Sequence, residues 1–111
     1  MIVGVGCDIV EIKRMQIFLE NKKKLVFLSQ REKELCKNYP LERKAEWLAG
    51  RFAAKEAIFK AIHTQFQCTI FDFEILANED GSPVCHIDGY TIHISISHEK
   101  EYAIAYALVE K

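Results

Sequence analysis

Apolar residues recur at helical spacing in the first part of the chain and at every second position in the last part. Residues 47–62 are rich in Ala, Leu, Lys and Glu, which are good helix formers, and predict a long helix that begins near Glu42. Its large apolar side chains cover more than half of the helix circumference. Arg51 and Lys55 fall inside that apolar sector. Either these two cations bind an anionic group, or the aliphatic parts of their side chains lie along apolar surface while the charged ends stay in solvent.

After His63 the period changes to two. This period predicts strands over residues 71–75, 84–87, 91–97 and 102–109. The same period at the start of the chain predicts a strand over residues 2–10. Alanines at every second position of the last strand offer a flat face on which a helix can pack (Ala103, Ala105 and Ala107). The fold class is therefore α+β, an antiparallel sheet packed against a long central helix.

The first predicted strand has two unlike faces. Gly4, Gly6 and Asp8 share one face, and apolar residues with Cys7 occupy the other. Glycines inside a strand mark a place where backbone, a helix or a ligand comes close, and here they are expected to leave open space beside Asp8. A Gly-x-Gly can be half of a dinucleotide fingerprint, but Ile9 stands where the third glycine belongs, which disfavours that interpretation.

The region between the first strand and the long helix predicts shorter elements. Residues 11–19 predict a short basic helix, and residues 21–24 a polar connection. Ser29 and Glu32 have the spacing of a capping box, so a second helix is expected from there to about Lys37. Tyr39 and Pro40 then break the chain before the long helix.

Composition narrows the class of protein. A chain of 111 residues, 50% of them hydrophobic and 28% charged, predicts one globular domain over residues 1–111. The formal net charge is only −1, yet the charge is uneven, because residues 13–24 hold five cations against one carboxylate. We call these cations the basic patch (Lys13, Arg14, Lys22, Lys23 and Lys24). The net charge itself excludes neither an acidic nor a basic partner.

The cysteines are scattered and form no Cys-x-x-Cys pair, and no histidine recurs at ligand spacing, so zinc is not expected. The start of the chain lacks the pattern of a signal peptide, which with the scattered thiols predicts a cytoplasmic protein. No apolar run reaches membrane-spanning length, so no membrane partner is expected.

Two carboxylates on different elements, Asp8 and Glu56, with Lys60 one turn beyond Glu56, suit a hard cation that carries a phosphate. A serine hydrolase is disfavoured, since no Gly-x-Ser-x-Gly motif occurs and Ser95 and Ser97 receive no catalytic role. A metal-dependent phosphohydrolase remains open. So does a non-enzymatic module that binds an acidic protein or nucleic acid through its basic helix.

Three motifs occur along the chain: residues 4–12 (GVGCDIVEI), residues 51–57 (RFAAKEA) and residues 94–98 (ISISH). A Gly-x-Pro turn lies at residues 81–83. Together they resemble the holo-acyl-carrier-protein synthases, the short class of 4′-phosphopantetheinyl transferases. The resemblance spans nearly the whole chain. It implies the fold of that family, a homotrimer with active sites between subunits, and no nucleic-acid partner.

The resemblance also implies a reaction. Coenzyme A gives its 4′-phosphopantetheine arm to a serine of apo-acyl carrier protein in a Mg²⁺-dependent step, which releases adenosine 3′,5′-bisphosphate and supports fatty acid biosynthesis. Asp8 and Glu56 match the Mg²⁺ ligands, and Glu56, or a water on the metal, is the expected base. Lys60 matches the lysine that meets the phosphates and assists the leaving group.

Other positions are carried over in the same way. Arg51 and His98 match residues that reach the nucleotide, and Arg43 and Lys44 are further candidates for that contact. Arg14, with Lys13, lies where the family presents a basic helix to the acidic carrier protein. One motif differs: relatives follow the long helix with Gly-Thr-Gly, whereas residues 63–65 here are His-Thr-Gln. Without these glycines, positive φ and close approach to a ligand are harder, so no contact is carried over from this loop.

Overall fold

The computed structural model describes the backbone of residues 1–111 and the side chains of residues 1–21 and 25–111. The first half contains one strand and three α-helices: β1 (Ile2–Glu11), α1 (Ile12–Glu20), a 3₁₀ helix (Lys22–Phe27), α2 (Gln30–Cys36) and α3 (Leu41–Ile62). The second half contains a 3₁₀ turn (Ile70–Asp72) and the strands β2 (Leu76–Ala77), β3 (Pro83–Val84), β4 (Thr91–His98) and β5 (Tyr102–Glu110). This confirms the predicted α+β class.

Three long strands form one antiparallel sheet in the order β1-β5-β4, and β2 and β3 form a separate two-stranded ribbon. The alanines of β5 are at most 1% exposed, and α3 packs across them as their spacing predicts. α3 itself buries alanines along much of its length, so helix and sheet approach closely (Ala45, Ala49, Ala53, Ala54, Ala57 and Ala61).

The glycines of β1 face α3 rather than open space, which corrects that expectation. A Cβ on Gly4 would lie 1.7 Å from the carbonyl oxygen of Ala61, and one on Gly6 would lie 2.0 Å from that of Ala57. The helix backbone therefore rests directly on the strand backbone. Asp8, two residues further along the same face, contacts the side chain of Lys60 in the helix.

The prediction of a strand over residues 71–75 is wrong. Thr69 and Asp72 form a capping box of their own, with the Thr69 N–H donating to the Asp72 carboxylate at 2.7 Å, and this local pattern makes a 3₁₀ turn. Phe73 and Ile75 are still buried, whereas Phe71 is 61% exposed. Only residues 76–77 pair, with β3, which is also shorter than the strand predicted over residues 84–87.

The other predicted elements are present. The capping box of α2 is complete, because the Ser29 hydroxyl accepts from the Glu32 N–H and the Glu32 carboxylate accepts from the Ser29 N–H. The predicted connection over residues 21–24 includes the start of the 3₁₀ helix, and the side chains of residues 22–24 in the basic patch lie outside the described part. Among the described helices, none combines the length and apolar character needed to cross a membrane.

Candidate active site

Asp8 and Lys60 meet on the side of α3 that faces β1. The Lys60 ammonium donates to the Cys7 carbonyl at 3.0 Å and lies 3.3 Å from the Asp8 carboxylate. The Lys60 side chain is 52% exposed and that of Asp8 is 20% exposed, so solvent reaches this pair. We call it the open pair.

Glu56 lies one helical turn before Lys60 and shares the surroundings of the open pair. Partial burial raises the pKa of the Glu56 carboxyl above its usual value, and the negative charge of Asp8 raises it further, against an opposing effect of Lys60. Because Asp8 contacts Lys60 and Glu56 lies one turn before Lys60, α3 and β1 place the two predicted carboxylates on the same side of the helix.

The open pair and Glu56 provide a donor set for a hard cation. Mg²⁺ usually takes one or two protein carboxylates and keeps waters and phosphate oxygens as its other ligands. Among the described side chains, no group of three or more His, Cys, Asp and Glu is arranged to hold a metal ion. A site with two carboxylates therefore fits a cation that arrives with a phosphate better than a closed protein cage.

A second site lies on the side of α3 that faces β4. It is a cleft of about 130 Å³, which we call the cationic cleft, and its lining includes three of the predicted nucleotide contacts (Arg43, Arg51 and His98, with Glu46, Trp47, Gly50 and Ile96). Two arginines and one histidine line this cleft together with a single carboxylate, and this excess of basic side chains favours an anionic ligand.

Arg51 is the most buried cation of this cleft, at 8% exposure. Its guanidinium stacks over the Trp47 ring at 4.8 Å, and its Nε is a buried donor without a partner among the described groups. Burial lowers the pKa of Arg51, and the charge of Glu32 partly offsets this. A guanidinium that is desolvated and incompletely bonded is suited to an incoming anion.

The other predicted nucleotide contacts differ in position. His98 Nδ1 lies 3.5 Å from the Glu46 carboxylate, and the Arg43 guanidinium lies 4.5 Å from the centre of the Tyr39 ring. Lys44 lies in a different place, on the rim of an apolar groove between α2 and α3. The structure thus brings Arg43, Arg51 and His98 together without Lys44.

The two sites lie on opposite sides of α3. Asp8 pairs with Ala105 of β5, and Ala105 pairs in turn with Ile96 of β4, which lines the cationic cleft. Two strand spacings, about 10 Å, therefore separate the strand that carries Asp8 from the strand that lines the cleft. The helix lies between them on the same face of the sheet.

Lys55 does not lay its charge in solvent. Its ammonium is 2.7 Å from the Glu32 carboxylate and also donates to the Phe27 carbonyl, and both side chains are almost fully buried. We call Lys55 and Glu32 the closed pair. The anionic partner of Lys55 is therefore the Glu32 carboxylate of the same chain. The capping box identified Glu32 in the sequence but gave no sign of its partner in α3.

Trp47 and Glu46 also line the cationic cleft, although neither was predicted as a site residue. Trp47 lies four residues before Arg51 on α3, and this spacing is a signal for a stacked pair that could have been used. Glu46 meets His98 only because the end of β4 reaches α3, a long-range contact without a local signal.

Helix α1 presents Lys13 and Arg14 to solvent. It is tied to α3 by aromatic contacts, since the Phe18 ring lies 6.4 Å from that of Phe52. Phe52 precedes Glu56 by one turn on α3, so the exposed cations of α1 belong to an element that packs one turn away from Glu56.

The His-Thr-Gln loop at residues 63–65 continues the end of α3 as a turn. The Gln65 N–H donates to the Ile62 carbonyl at 2.8 Å, and the His63 ring stacks on Phe59 at 5.3 Å. Every described residue other than glycine has negative φ, so this loop needs no left-handed residue.

Comparison with known proteins gives consistent results. The family model of the 4′-phosphopantetheinyl transferase superfamily matches residues 4–107. A holo-[acyl-carrier-protein] synthase of Geobacillus kaustophilus is 45% identical over 121 residues, covering 100% of this chain and 91% of that protein. The synthase of Halalkalibacterium halodurans is 41% identical over 116 residues, covering 100% and 98% respectively.

Solved structures agree with these sequence relatives. A holo-(acyl-carrier-protein) synthase from Bacillus anthracis, in complex with CoA (3′,5′-ADP), is 37% identical with a TM-score of 0.88, covering 98% of this chain and 96% of that one. A synthase from Helicobacter pylori, in complex with coenzyme A, is 29% identical with a TM-score of 0.79, covering 96% and 99%.

Proposed function

This chain belongs to the 4′-phosphopantetheinyl transferase superfamily, and we propose that it moves the 4′-phosphopantetheine arm of coenzyme A to a serine of an apo-acyl carrier protein. The serine Oγ forms a bond to the phosphorus next to pantetheine, and the bond from that phosphorus to the bridging oxygen breaks. Adenosine 3′,5′-bisphosphate leaves with that oxygen, and the serine proton passes to a base. The convergence of Asp8, Glu56 and Lys60 beside α3 carries this proposal.

Asp8 and Glu56 are the proposed holders of Mg²⁺. The fit is supported by the contact of Asp8 with Lys60, one turn from Glu56, and by the pKa of Glu56, which burial and the charge of Asp8 raise and which a divalent cation would lower. When bound, the metal neutralises charge on the diphosphate that is attacked. Cytoplasmic location and a place in fatty acid biosynthesis belong to the same proposal.

Glu56 and Lys60 have complementary roles in proton and charge transfer. The Glu56 carboxylate takes the serine proton, and partial burial makes it a stronger base than an exposed carboxylate. The Lys60 ammonium, held by the Cys7 carbonyl, stabilises the negative charge that develops on the leaving oxygen. Asp8 keeps Lys60 oriented towards that place.

The cationic cleft is the proposed site of the nucleotide end of coenzyme A. Arg43, Arg51 and His98 supply donors for its 3′-phosphate. Lys44 is a further proposed contact, although it lines a different groove. The proposed cofactor and donor are therefore Mg²⁺ and coenzyme A.

A homotrimer with active sites between subunits is part of the proposal. One reason is that the cationic cleft and the carboxylates lie on opposite sides of α3, so a cleft of one subunit can complete the carboxylate site of the next. The other is the outer face of the sheet, where Val5, Ile9 and Tyr106 are 63%, 60% and 52% exposed. An apolar sheet face of this kind is typical of a contact between subunits.

Arg14, with Lys13, is the proposed docking surface for the acidic carrier protein. Exposed cations on α1 would speed and orient the approach of that partner. The position of α1 against Phe52 would then bring the carrier's serine near Glu56.

The test is the mass of apo-acyl carrier protein after incubation with coenzyme A and Mg²⁺. One phosphopantetheine should be gained with wild-type protein, and Glu56→Gln should lower the rate by at least about 100-fold. Glu42→Gln, the same change at an exposed position of the same helix, is the matched control and should keep the rate. Near-normal transfer by Glu56→Gln would contradict the proposal.

The same assay separates the alternatives. A phosphohydrolase would release phosphate products from coenzyme A without any carrier protein. A non-enzymatic module would bind an acidic protein or nucleic acid in a salt-sensitive way that ignores both Mg²⁺ and the change Asp8→Asn.

A further inference from the structure

The closed pair connects three segments of the chain inside the protein. Lys55 is 1% exposed and Glu32 is 0% exposed. One Glu32 oxygen accepts from Lys55 Nζ at 2.7 Å and from the Ser29 N–H at 2.8 Å, and the other accepts from the Ile75 N–H at 2.9 Å. Lys55 also donates to the Phe27 carbonyl. The start of α2, the middle of α3 and the segment before β2 are thus joined at one point.

A buried ion pair is an expensive way to join segments. Both charges lose their hydration, and well-packed apolar residues often give equal or greater stability at such a place. The closed pair offers something that apolar packing lacks, because its hydrogen bonds fix direction as well as proximity. The closed pair therefore fixes the orientation of the groups to which it is hydrogen-bonded.

The Phe27 carbonyl that Lys55 holds belongs to the residue at the centre of an aromatic cluster. The Phe27 ring lies edge-on to Phe52 of α3 at 5.3 Å and to Phe18 of α1 at 6.1 Å. Phe52 shares a stripe of α3 with Glu56, one turn away. The same ring thus contacts α1 and the stripe of α3 that carries Glu56.

We propose that Lys55 and Glu32 are positioning residues, which hold Phe27 and through it set the orientation of α1 relative to Glu56. The inference rests on the proposed function, in which α1 receives the carrier protein and Glu56 takes the proton of its serine. Neither Lys55 nor Glu32 touches a reactant. Their effect is on whether a docked carrier presents its serine at the right place.

This role predicts a selective defect. Loss of the closed pair displaces Phe27 and α1, so the KM for the carrier protein rises and the rate from the docked complex falls. The cationic cleft lies on the other side of α3, where the closed pair acts only through the charge of Glu32 on Arg51, so the KM for coenzyme A changes much less than the KM for the carrier. A pair that only stabilised the fold would reduce the amount of active enzyme and leave both KM values as they are.

The experiment compares three variants in steady-state transfer assays. Lys55→Met removes the ammonium. Lys55→Met with Glu32→Gln removes both charges and keeps one amide oxygen, which can accept from the N–H of Ser29 or of Ile75 while the amide NH2 faces the other. Arg31→Gln is the matched control, because the exposed pair Arg31–Glu74 joins α2 to the segment before β2 without reaching α3.

The double variant should melt at a higher temperature than Lys55→Met, because it leaves no unpaired charge buried. We expect both to raise the KM for the carrier at least about tenfold and to change the KM for coenzyme A by less than about twofold. Arg31→Gln should match wild type in both.

A double variant with wild-type KM for the carrier overturns the inference, and so does an equal rise in both KM values. If Lys55→Met does not fold, the double variant alone decides. Failure of wild-type protein to modify the carrier would contradict the proposed function itself, which is a different outcome.

Discussion

Two lysine–carboxylate pairs on the same helix have opposite characters. In the closed pair, Lys55 and Glu32 are 2.7 Å apart and almost fully buried, and the backbone N–H groups of Ser29 and Ile75 bind the carboxylate as well. In the open pair, Lys60 and Asp8 are 3.3 Å apart and partly exposed, and the negative charge of Glu56 lies beside them.

The difference distinguishes a structural pair from one that is available for chemistry. The closed pair has its hydrogen-bonding capacity largely used by its own chain, so it has little to offer a ligand. The open pair has excess negative charge and accessible atoms, which a cation and a phosphate can use. Neighbouring positions on one helix, Lys55 and Glu56, thus belong to different functions.

The largest expected effect is on stability, and it separates the two pairs. Lys55→Met leaves the Glu32 charge buried without its partner, and we expect it to lower the free energy of unfolding by about 3–5 kcal/mol. Lys60→Met removes a partly exposed contact and should cost only about 0–1 kcal/mol while it impairs transfer. Urea unfolding of both variants measures this, and equal losses would contradict the distinction.

A second prediction concerns Cys85, which is 5% exposed and lies within the electrostatic reach of the closed pair. Burial raises the pKa of its thiol from 9.0 to about 11, so above pH 9 the unfolded chain loses this proton before the folded chain does. The contribution of the Cys85 thiol to the free energy of unfolding is fully present below pH 9. It is lost as the pH rises to about 11, and the loss is about 2–3 kcal/mol.

The measurement for Cys85 is the free energy of unfolding of wild type and Cys85→Ala, each relative to its own value at pH 8. The variant should lose less stability between pH 9 and 11 than wild type does, because it has no thiol to ionise. Parallel curves would show that the thiol is accessible, and that the interior around the closed pair is open.

Much of the fold could be predicted from local patterns in the sequence. Helix α3 follows from its composition, α2 from the capping box at Ser29, and β4 and β5 from strict alternation. The strand expected over residues 71–75 failed because Thr69 and Asp72 satisfy each other locally, so alternating apolar residues became buried without strand pairing.

The candidate site was predicted unevenly, for a related reason. The motifs identified Asp8, Glu56 and Lys60, and the structure brings them together. The partner of Lys55 could not be predicted, because Glu32 lies on another helix and both residues are ordinary surface types in sequence. The ligand roles of Arg43, Lys44, Arg51 and His98, and the docking role of Lys13 and Arg14, stay predictions.

The most direct test of the open pair is the dissociation constant of coenzyme A, measured by calorimetry with and without Mg²⁺ on wild type and Asp8→Asn. We predict that Mg²⁺ tightens binding to wild type by about tenfold, or about 1.4 kcal/mol, and has no such effect on Asp8→Asn. An equal effect of Mg²⁺ on both proteins would contradict the account, because the cation would then be held somewhere other than between Asp8 and Glu56.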